Sequence, residues 1–394
     1  MQRMSPEAEG APEHLEPDEI ADEFEPLPTD DPNYISESDG EDNGNNELEF
    51  KDDSVQGFFA HKEPVYSVDL HPTDDTLVLT GGGDDKAYLW RRDTGEAVHP
   101  GNALDGFTDS VTAVGFNVDG SLMAAAGLDG QVRVWATATG QLTAALEGPS
   151  ADVNWIEWHG KGNILLAGSA DGTMWMWLLP SGQFMQVFSG HAESVTCGKF
   201  TPDGKTIVSG ADNGSLIIWD PKTASAIHRL SGADDARFHS ETITCVGITA
   251  DSTLAMTGSS DHTARLVHIQ NGNIVGSLGG HTESIETVGF SPVLPFAATG
   301  SVDCTVNIWD TQTLRLRQTV RHDGPVTKLQ WHATSPLMTT SSGDGTVRVW
   351  DARTGQCEQK WVGHEDVILD FAQTRDGRTV VTGSDDGCSL VFNY

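Results

Sequence analysis

The chain has 394 residues, of which 43 are Gly and 17 are Pro, and only 7% are aromatic. This composition is typical of many short strands joined by tight turns. No run of eighteen apolar residues occurs, and the first thirty residues lack a basic region followed by an apolar stretch, which argues against a membrane-spanning or secreted protein. The formal net charge of −35 repels nucleic acid and anionic membranes and therefore favours a basic protein partner.

Residues 1–53 are predicted to form a disordered acidic tail. This segment contains nineteen Asp or Glu residues against two basic ones, and it offers few side chains that could build a core. Residues 54–394 hold the other 39 acidic residues against 21 basic ones. The excess of negative charge is therefore shared almost equally between the tail and the predicted folded domain.

A repeat of about 42 residues fills residues 54–394. In each copy a small or hydroxyl residue is followed four positions later by Asp or Asn, and six positions after that by a bulky residue that is usually Trp. The eight bulky positions are Trp90, Trp135, Trp177, Trp219, Val267, Trp309, Trp350 and Phe392, and they lie 45, 42, 42, 48, 42, 41 and 42 residues apart. This period resembles that of the WD40 repeat family, which implies an all-β, eight-bladed propeller.

The two ends of the chain indicate how the propeller closes. Only two residues follow Phe392, so the eighth repeat has three predicted strands and lacks its outermost one. Residues 54–60 stand where every other repeat has the outer strand of the preceding blade. We expect them to pair with the eighth blade, which removes an exposed sheet edge.

In the fifth repeat we expect an enlarged loop at 231–238, without an extra strand.

His, a hydroxyl residue, Asp and Trp recur together, as in His281, Thr299, Asp303 and Trp309. Seen once, His, Thr and Asp would suggest a hydrolase, but a catalytic triad is needed only once and these sets recur with the repeats. The WD40 resemblance implies a structural relay of hydrogen bonds from Asp to His, hydroxyl and indole. No phosphate-binding loop, metal-ligand spacing or unrepeated acid and base occurs in the sequence. We therefore expect no enzyme, no cofactor and no metal site.

Candidate peptide-binding positions follow from the alternation of side chains along the first strand of each repeat. The β-branched residue four after the His, such as Val195, should point between blades. Residues three and five after the His should therefore point the other way, toward the open end of the central channel, which we call the axial mouth. The residue that precedes the turn Asp should lie beside them. These positions include Tyr66, Asp152, Asn154, Ser194, Thr196, Asp212, Thr242, Thr244, Ser284, Glu286, Val302, Val367, Leu369 and Asp385. The flanking loops add Glu63, Asp109, Glu193, Glu241, Glu283, Asp323, Glu365 and Asp366.

None of these positions carries Lys or Arg. A group of carboxylates with one Tyr and several hydroxyls suits a segment rich in Arg and Lys, and Val367 and Leu369 would offer one dry patch. We take thirteen of them, called the mouth residues below, as the candidate peptide-binding set: Glu63, Tyr66, Asp109, Asp152, Asn154, Glu193, Asp212, Glu241, Glu283, Glu286, Asp323, Asp366 and Asp385.

A narrower resemblance rests on the eight repeats, the acidic tail and the segment Gly-Phe-Phe-Ala-His-Lys-Glu-Pro-Val-Tyr at 57–66. Together they resemble the family of the fungal chaperone dedicated to large-subunit universal ribosomal protein sixteen, with its animal relative, angio-associated migratory cell protein. The resemblance implies that the acidic face holds the basic N-terminal segment of the newly made ribosomal protein and delivers it to the pre-60S ribosome. The alternative is a generic WD40 scaffold or a substrate receptor in a signalling or ubiquitin-ligase complex.

The expected partner is therefore a basic protein segment, with no direct nucleic-acid or membrane contact, and the expected state is a monomer. The five cysteines are odd in number and never form a C-x-x-C pair, which favours a reducing compartment. We expect the protein in the cytoplasm, with the nucleus as a second location.

Overall fold

The computed structural model describes residues 51–99 and 103–394, so the prediction of a disordered tail falls almost wholly outside the described residues. Within the described ranges every regular element is a β-strand, and no helix there could cross a membrane. The strands form eight antiparallel sheets of four strands each.

The first strand of each sheet begins at the β-branched residue on which the mouth prediction was based. The eight first strands are β2 Val65–Leu70, β6 Val111–Phe116, β10 Val153–Trp158, β14 Val195–Phe200, β18 Ile243–Ile248, β22 Ile285–Phe290, β26 Val326–Trp331 and β30 Ile368–Gln373. The eight second strands are β3 Leu77–Gly82, β7 Leu122–Gly127, β11 Ile164–Ser169, β15 Ile207–Ala211, β19 Leu254–Ser259, β23 Phe296–Ser301, β27 Leu337–Ser342 and β31 Thr379–Ser384.

The third strands carry the bulky residue of each repeat. They are β4 Lys86–Arg91, β8 Val132–Ala136, β12 Thr173–Leu178, β16 Leu216–Asp220, β20 Thr263–His268, β24 Thr305–Asp310, β28 Thr346–Asp351 and β32 Ser389–Asn393. The outer strands are β5 Glu96–Ala97, β9 Leu142–Leu146, β13 Gln183–Ser189, β17 Ser225–Leu230, β21 Ile274–Gly279, β25 Arg315–Arg321, β29 Gln356–Val362 and β1 Gln56–Phe58.

The eight first strands contact one another in chain order, and β30 of the last sheet contacts β2 of the first. The sheets therefore surround a central axis as the blades of a closed propeller. The β-branched residues that begin the first strands are fully buried between blades, as expected. The eight-bladed all-β propeller predicted from the 42-residue period is confirmed.

The last blade is completed by the start of the folded domain. Strand β1 pairs antiparallel with β32, with Gln56 opposite Val391 and Phe58 opposite Ser389. The Phe58 ring is only 3% exposed and stacks on Trp90 of blade 1, with ring centroids 5.0 Å apart. Closure by an N-terminal strand is confirmed, although the strand covers 56–58 rather than the whole of 54–60.

The long spacing before the fifth repeat comes from a loop, as predicted. Residues 231–238 contain turns and no strand. Phe238 at the end of this loop is 3% exposed and packs in the core between blades 4 and 5. This burial brings the next residue, His239, to within 2.8 Å of both Asp261 and the hydroxyl of Thr257.

The relay of hydrogen bonds is complete in blade 6. Asp303 lies 2.9 Å from Nδ1 of His281, the Nε2 atom of His281 lies 2.7 Å from the hydroxyl of Thr299, and the indole of Trp309 donates to that hydroxyl over 2.9 Å. These groups are buried and satisfy one another, which is the condition under which a polar chain stabilises a core.

Two of the other expected relays are interrupted. In blade 1 the indole nitrogen of Trp90 makes no hydrogen bond within the described residues, and its ring stacks on Phe58 instead. In blade 7 the Nδ1 atom of His322 lies 3.7 Å from Asp344, too far for a hydrogen bond, because that carboxylate accepts a hydrogen bond from Arg348 over 2.8 Å. The relay is therefore a structural device that individual blades can modify.

Candidate peptide-binding site

A β-bulge in the first strand of every blade sets the geometry of the mouth. In all eight sheets the pairing between the first and second strands shifts one residue after the β-branched position, for example between Val65 and Ser67. The skipped residue, such as Tyr66 or Glu286, has no partner in the ladder. A bulge re-aims the side chain at that point, so these residues lie at the rim of the mouth instead of on a flat sheet face.

The turn residues join this rim through the main chain. In every blade the residue before the turn Asp donates its N–H to the carbonyl oxygen three residues after the His position, over 2.7–3.0 Å. Asp212 is held to Ser194 and Asp385 to Val367 in this way. The structure therefore brings together the three types of position that sequence reasoning assigned to the mouth.

Most mouth residues are free to meet a ligand. All of them are exposed except Asn154, which is half-buried, and Tyr66 is 37% exposed. Within the described residues, seven carboxylates have no side-chain hydrogen bond or ion pair: Glu63, Asp152, Glu193, Glu241, Glu283, Glu286 and Asp385. Asp109 and Asp366 accept hydrogen bonds only from the N–H of the following residue. The mouth thus presents many carboxylate oxygens with unused hydrogen-bonding capacity.

Several predicted positions already have partners in the protein. The Asn154 amide donates to the Ser194 hydroxyl and the Val195 carbonyl over 2.8 and 3.0 Å, which links blades 3 and 4. The hydroxyls of Thr196 and Thr244 donate to main-chain carbonyls of the next blade. These side chains join blades, so their polar groups are only partly available to a ligand.

Two acidic mouth residues also have partners. Asp212 accepts a hydrogen bond from the Thr242 hydroxyl over 2.8 Å and has no ion pair within the described residues. Asp323 lies 2.7 Å from the guanidinium of Arg348, which neutralises part of its charge. The prediction treated all mouth carboxylates alike, whereas the structure makes Asp323 weaker than Asp212 or Asp385 as a site for a basic ligand.

Sequence reasoning missed a second set of charged residues below the mouth. After the bulge, Lys328 and Asp370 stand six residues after the His position of their blades, and Asp69 and Glu157 stand eight residues after it. A cavity of about 290 Å³ lies there among the first strands of blades 1, 2, 3, 7 and 8, and its lining includes Asp69, Glu157, Lys328 and Asp370. The signal was present in the sequence, since charged residues inside a strand that should pack on both faces require a water-filled channel.

The channel carboxylates differ in their partners. Asp370 pairs with Lys328 and accepts the N–H of Val68 over 2.8 Å, and Asp69 accepts the N–H of Phe116 over 2.8 Å. Both carboxylates therefore link neighbouring blades. Glu157 accepts no hydrogen bond from the described residues.

The enclosure of the channel changes the acidity of these groups. Burial raises the pKa of Asp69 to about 6 despite the hydrogen bond from Phe116. Burial also raises the pKa of Glu157 to about 7, and the nearby Lys199 only partly opposes the shift. Burial therefore makes Asp69 and Glu157 hold their protons to a higher pH than exposed carboxyls do, and the effect is larger for Glu157.

Comparison with known proteins agrees with this architecture. The family model described as WD domain, G-beta repeat matches eight segments, at residues 53–91, 99–136, 140–177, 182–220, 236–268, 272–310, 314–351 and 355–393. The chain is 38% identical over 360 residues to angio-associated migratory cell protein of Homo sapiens, across 88% of this chain and 81% of that protein.

Solved structures of similar shape include Sqt1 of Chaetomium thermophilum bound to the N-terminus of the ribosomal protein L10. That structure has a TM-score of 0.81 and 26% identity, and the match covers 87% of this chain and 100% of the other. Saccharomyces cerevisiae Sqt1 has the same fold, with a TM-score of 0.79 and 23% identity across 88% of this chain and all of that one.

Proposed function

Because the chain belongs to the WD40 family and to the family of angio-associated migratory cell protein, we propose that it is a dedicated chaperone of a ribosomal protein. In this proposal the mouth residues bind the basic N-terminal segment of a newly made large-subunit ribosomal protein. The complex keeps that segment from aggregating or binding stray RNA and delivers the protein to the pre-60S ribosome. The function is binding rather than catalysis, carried out by a monomer in the cytoplasm and nucleus.

The observation that carries the proposal is the set of seven carboxylates at the mouth without partners in the described residues, on a propeller whose structural neighbour holds the N-terminus of a ribosomal protein. Lys and Arg side chains of a bound segment could each be met by one or more of these oxygens. Charge-assisted hydrogen bonds of this kind are about twice as strong as neutral ones. Solvated carboxylates at an open rim also accelerate the encounter with a basic chain.

The mouth offers more than charge. The Tyr66 ring is exposed beside Gly83, where a side chain could not fit without meeting the ring. An aromatic face at that position can stack on an Arg guanidinium. In blade 8, which adjoins blade 1, Val367 and Leu369 are half-buried and give an apolar contact for the aliphatic stems of Lys and Arg. Blades 8 and 1 are therefore the best place for one basic side chain to be anchored.

The proposal is tested by reversing charge at the mouth with the double variant Asp212→Lys and Asp385→Lys. Both side chains are exposed, so the propeller should remain folded while a basic ligand is repelled. The probe is a labelled peptide with the N-terminal sequence of the large-subunit ribosomal protein L10, and binding is measured by fluorescence anisotropy at low salt. We expect the affinity to fall by roughly a hundredfold, as removal of two close charge pairs would produce.

The matched control is the double variant Glu96→Lys and Glu358→Lys. It changes the net charge by the same amount but places the new lysines on outer strands β5 and β29, away from the mouth. Both variants are also measured at about 0.15 M salt, where the screening length is about 8 Å, and there we expect the control to bind within about threefold of the wild type. Equal losses in the two variants would mean that only total charge matters, and unchanged binding by the mouth variant would place the site elsewhere.

Affinity purification of the full chain at low salt separates the chaperone from a scaffold. Recovery of one ribosomal protein as the main partner supports the proposal. Recovery of ubiquitin-ligase or signalling subunits, with no ribosomal protein, would favour the general scaffold instead.

A further inference from the structure

A groove of about 550 Å³ opens on the flank of the propeller between blades 3 and 4. Its walls include His159 from the turn after β10, Gly204 from the turn after β14, and Lys222 from the turn after β16. These turns lie at the opposite ends of the strands from the turns that form the mouth. The groove is therefore a separate surface, within the size range of pockets that hold ligands.

The floor of the groove is apolar and partly exposed. Ile164, Met176 and Phe200 form its deeper part, while Leu178 and Met185 at its edge are 39% and 36% exposed. Met side chains are flexible and polarisable, so they can adapt to the shape of an incoming apolar group.

The fold does not require apolar residues at these two exposed positions. Leu178 is the residue after the repeat Trp, and the corresponding residue in the other blades is Arg91, Ala136, Asp220, His268, Asp310, Asp351 or Asn393. Met185 is the residue skipped by the bulge between β12 and β13, and the counterparts in other blades are Thr143, Ile227, Val275, Arg317 and Glu358. Three of these five are polar or charged. In blade 6 the counterpart is Arg317. There Asp310 and Arg317 form an ion pair at 3.7 Å. Blade 3 thus carries an exposed apolar pair where blade 6 has a partly exposed ion pair.

The rim of the groove is basic, in contrast to the rest of the molecule. The chain has nine lysines, and three of them, Lys161, Lys205 and Lys222, belong to the turns around the groove. Two carboxylates stand beside these three lysines. Asp203 pairs with Lys205 at 3.3 Å and accepts a hydrogen bond from the Thr201 hydroxyl, and Asp220 accepts the main-chain N–H of Lys222 over 2.9 Å. The Lys222 ammonium has no ion pair within the described residues. On a strongly acidic protein, this rim is a place where an acidic chain can approach.

We propose that this groove binds a short protein segment in which large apolar side chains alternate with carboxylates. The apolar side chains would cover Leu178 and Met185 and enter between Met176 and Phe200, and the carboxylates would pair with the lysines of the rim. The protein then has two docking surfaces of opposite preference, an acidic mouth for a basic segment and a basic-rimmed apolar groove for an acidic one. Both can be occupied at once because they lie at different ends of the strands.

The test uses the full chain and a fluorescent nine-residue peptide that alternates Glu with Leu and Phe. We expect saturable binding with a Kd of roughly 10–100 µM, typical of a small interface with few anchors. The variant Leu178→Asp with Met185→Arg rebuilds the ion pair of blade 6 in blade 3, so it should fold, and it should weaken binding at least tenfold. Lys222→Glu should weaken it at least threefold, and a peptide with Lys in place of Glu should not bind.

The matched control is Ile227→Arg. Ile227 is the residue skipped by the bulge in the outer strand of blade 4 and is 44% exposed, but it does not line the groove. This variant should bind the peptide as the wild type does. If the melting curve shows that the double variant is unfolded, the peptide affinity of Lys222→Glu alone tests the proposal. Lys222 lies on the surface, so its replacement should leave the protein folded.

Three results would overturn the proposal. The first is the absence of saturable binding up to a peptide concentration of about 1 mM, which exceeds the expected Kd by at least tenfold. The second is equal binding by wild type, Lys222→Glu and the double variant. The third is binding to phosphatidylserine vesicles without binding to the peptide, which would assign the lysines and apolar edge to a membrane surface.

Discussion

The channel residue Glu157 gives a quantitative test of the structure, through the variant Glu157→Gln. Burial raises the pKa of this carboxyl from 4.5 to about 7. Each pKa unit corresponds to about 1.4 kcal/mol, so the full shift would be worth roughly 3 kcal/mol at a pH above both values. The side chain is half-buried and faces a channel that water can enter, so we expect about 1–3 kcal/mol.

The sign follows from where the proton is held. Between about pH 4.5 and pH 7 the folded protein keeps a proton on Glu157 that the unfolded chain has already lost. The free energy of unfolding contributed by this group is therefore fully present below pH 4.5 and is lost as the pH rises through 7. Gln has the same shape and no charge to desolvate, so Glu157→Gln should be more stable than the wild type at pH 8 and nearly equal to it near pH 4.5.

Urea unfolding of the full chain, followed by tryptophan fluorescence at several pH values from 4.5 to 8, measures the difference. Glu193→Gln is the control, because Glu193 is exposed at the mouth, and it should change the unfolding free energy by less than about 0.5 kcal/mol at every pH. A Glu157→Gln variant that is less stable than the wild type at pH 8, or that keeps the same pH dependence, would refute the enclosed channel described here.

Three further predictions concern closure, the relay and the mouth. Removing residues 1–50 should leave the melting temperature nearly unchanged. Removing residues 1–60 deletes β1 with the buried Phe58, so it should lower the free energy of unfolding by at least about 3 kcal/mol. Similar melting curves for the two truncated proteins would contradict closure by this strand. Asp303→Ala should cost about 2–4 kcal/mol in urea unfolding, because it removes the carboxylate that bonds Nδ1 of His281 and leaves the N–H groups of Thr282 and Thr305 without their acceptor. The exposed control Asp385→Ala should cost less than about 0.5 kcal/mol. In stopped-flow mixing, the association rate of the basic peptide should fall at least about tenfold between low salt and about 0.5 M salt, and a rate that barely changes would exclude carboxylate steering.

The blades could be predicted from the sequence because every repeat buries the same kinds of side chain at the same positions. The β-branched residue that begins a first strand must be buried against the next blade, and the Trp or its substitute must fill the space beside it. Eight repetitions of one pattern leave little freedom in strand order. The closing strand followed from simple counting, since the eighth repeat ends two residues after Phe392 and lacks an outer strand.

The mouth was predicted less well, because alternation along a strand assumes a regular ladder. The bulge after Val65 and its counterparts breaks that regularity, and nothing in a single sequence marks it. As a result the prediction named only residues near the bulge, and the charged residues Asp69 and Glu157 of the channel were overlooked. The pairing of Asp323 with Arg348 was also invisible, since it joins a loop to a third strand 25 residues later.

The bulge has a further consequence for function. A residue skipped by the ladder has no main-chain partner on the neighbouring strand, so its identity is set by what its side chain contacts. At this position Asn154 bonds the next blade, whereas the side chain of Glu286 makes no hydrogen bond within the described residues. Tyr66 is a second exposed residue at a first-strand bulge, and Met185 lies at the bulge in the outer strand of blade 3. The two proposed binding surfaces, the mouth and the flank groove, therefore both include exposed bulge positions. In both proposals, substitutions at Tyr66, Glu286 or Met185 change binding while the buried β-branched residues and relays keep the fold.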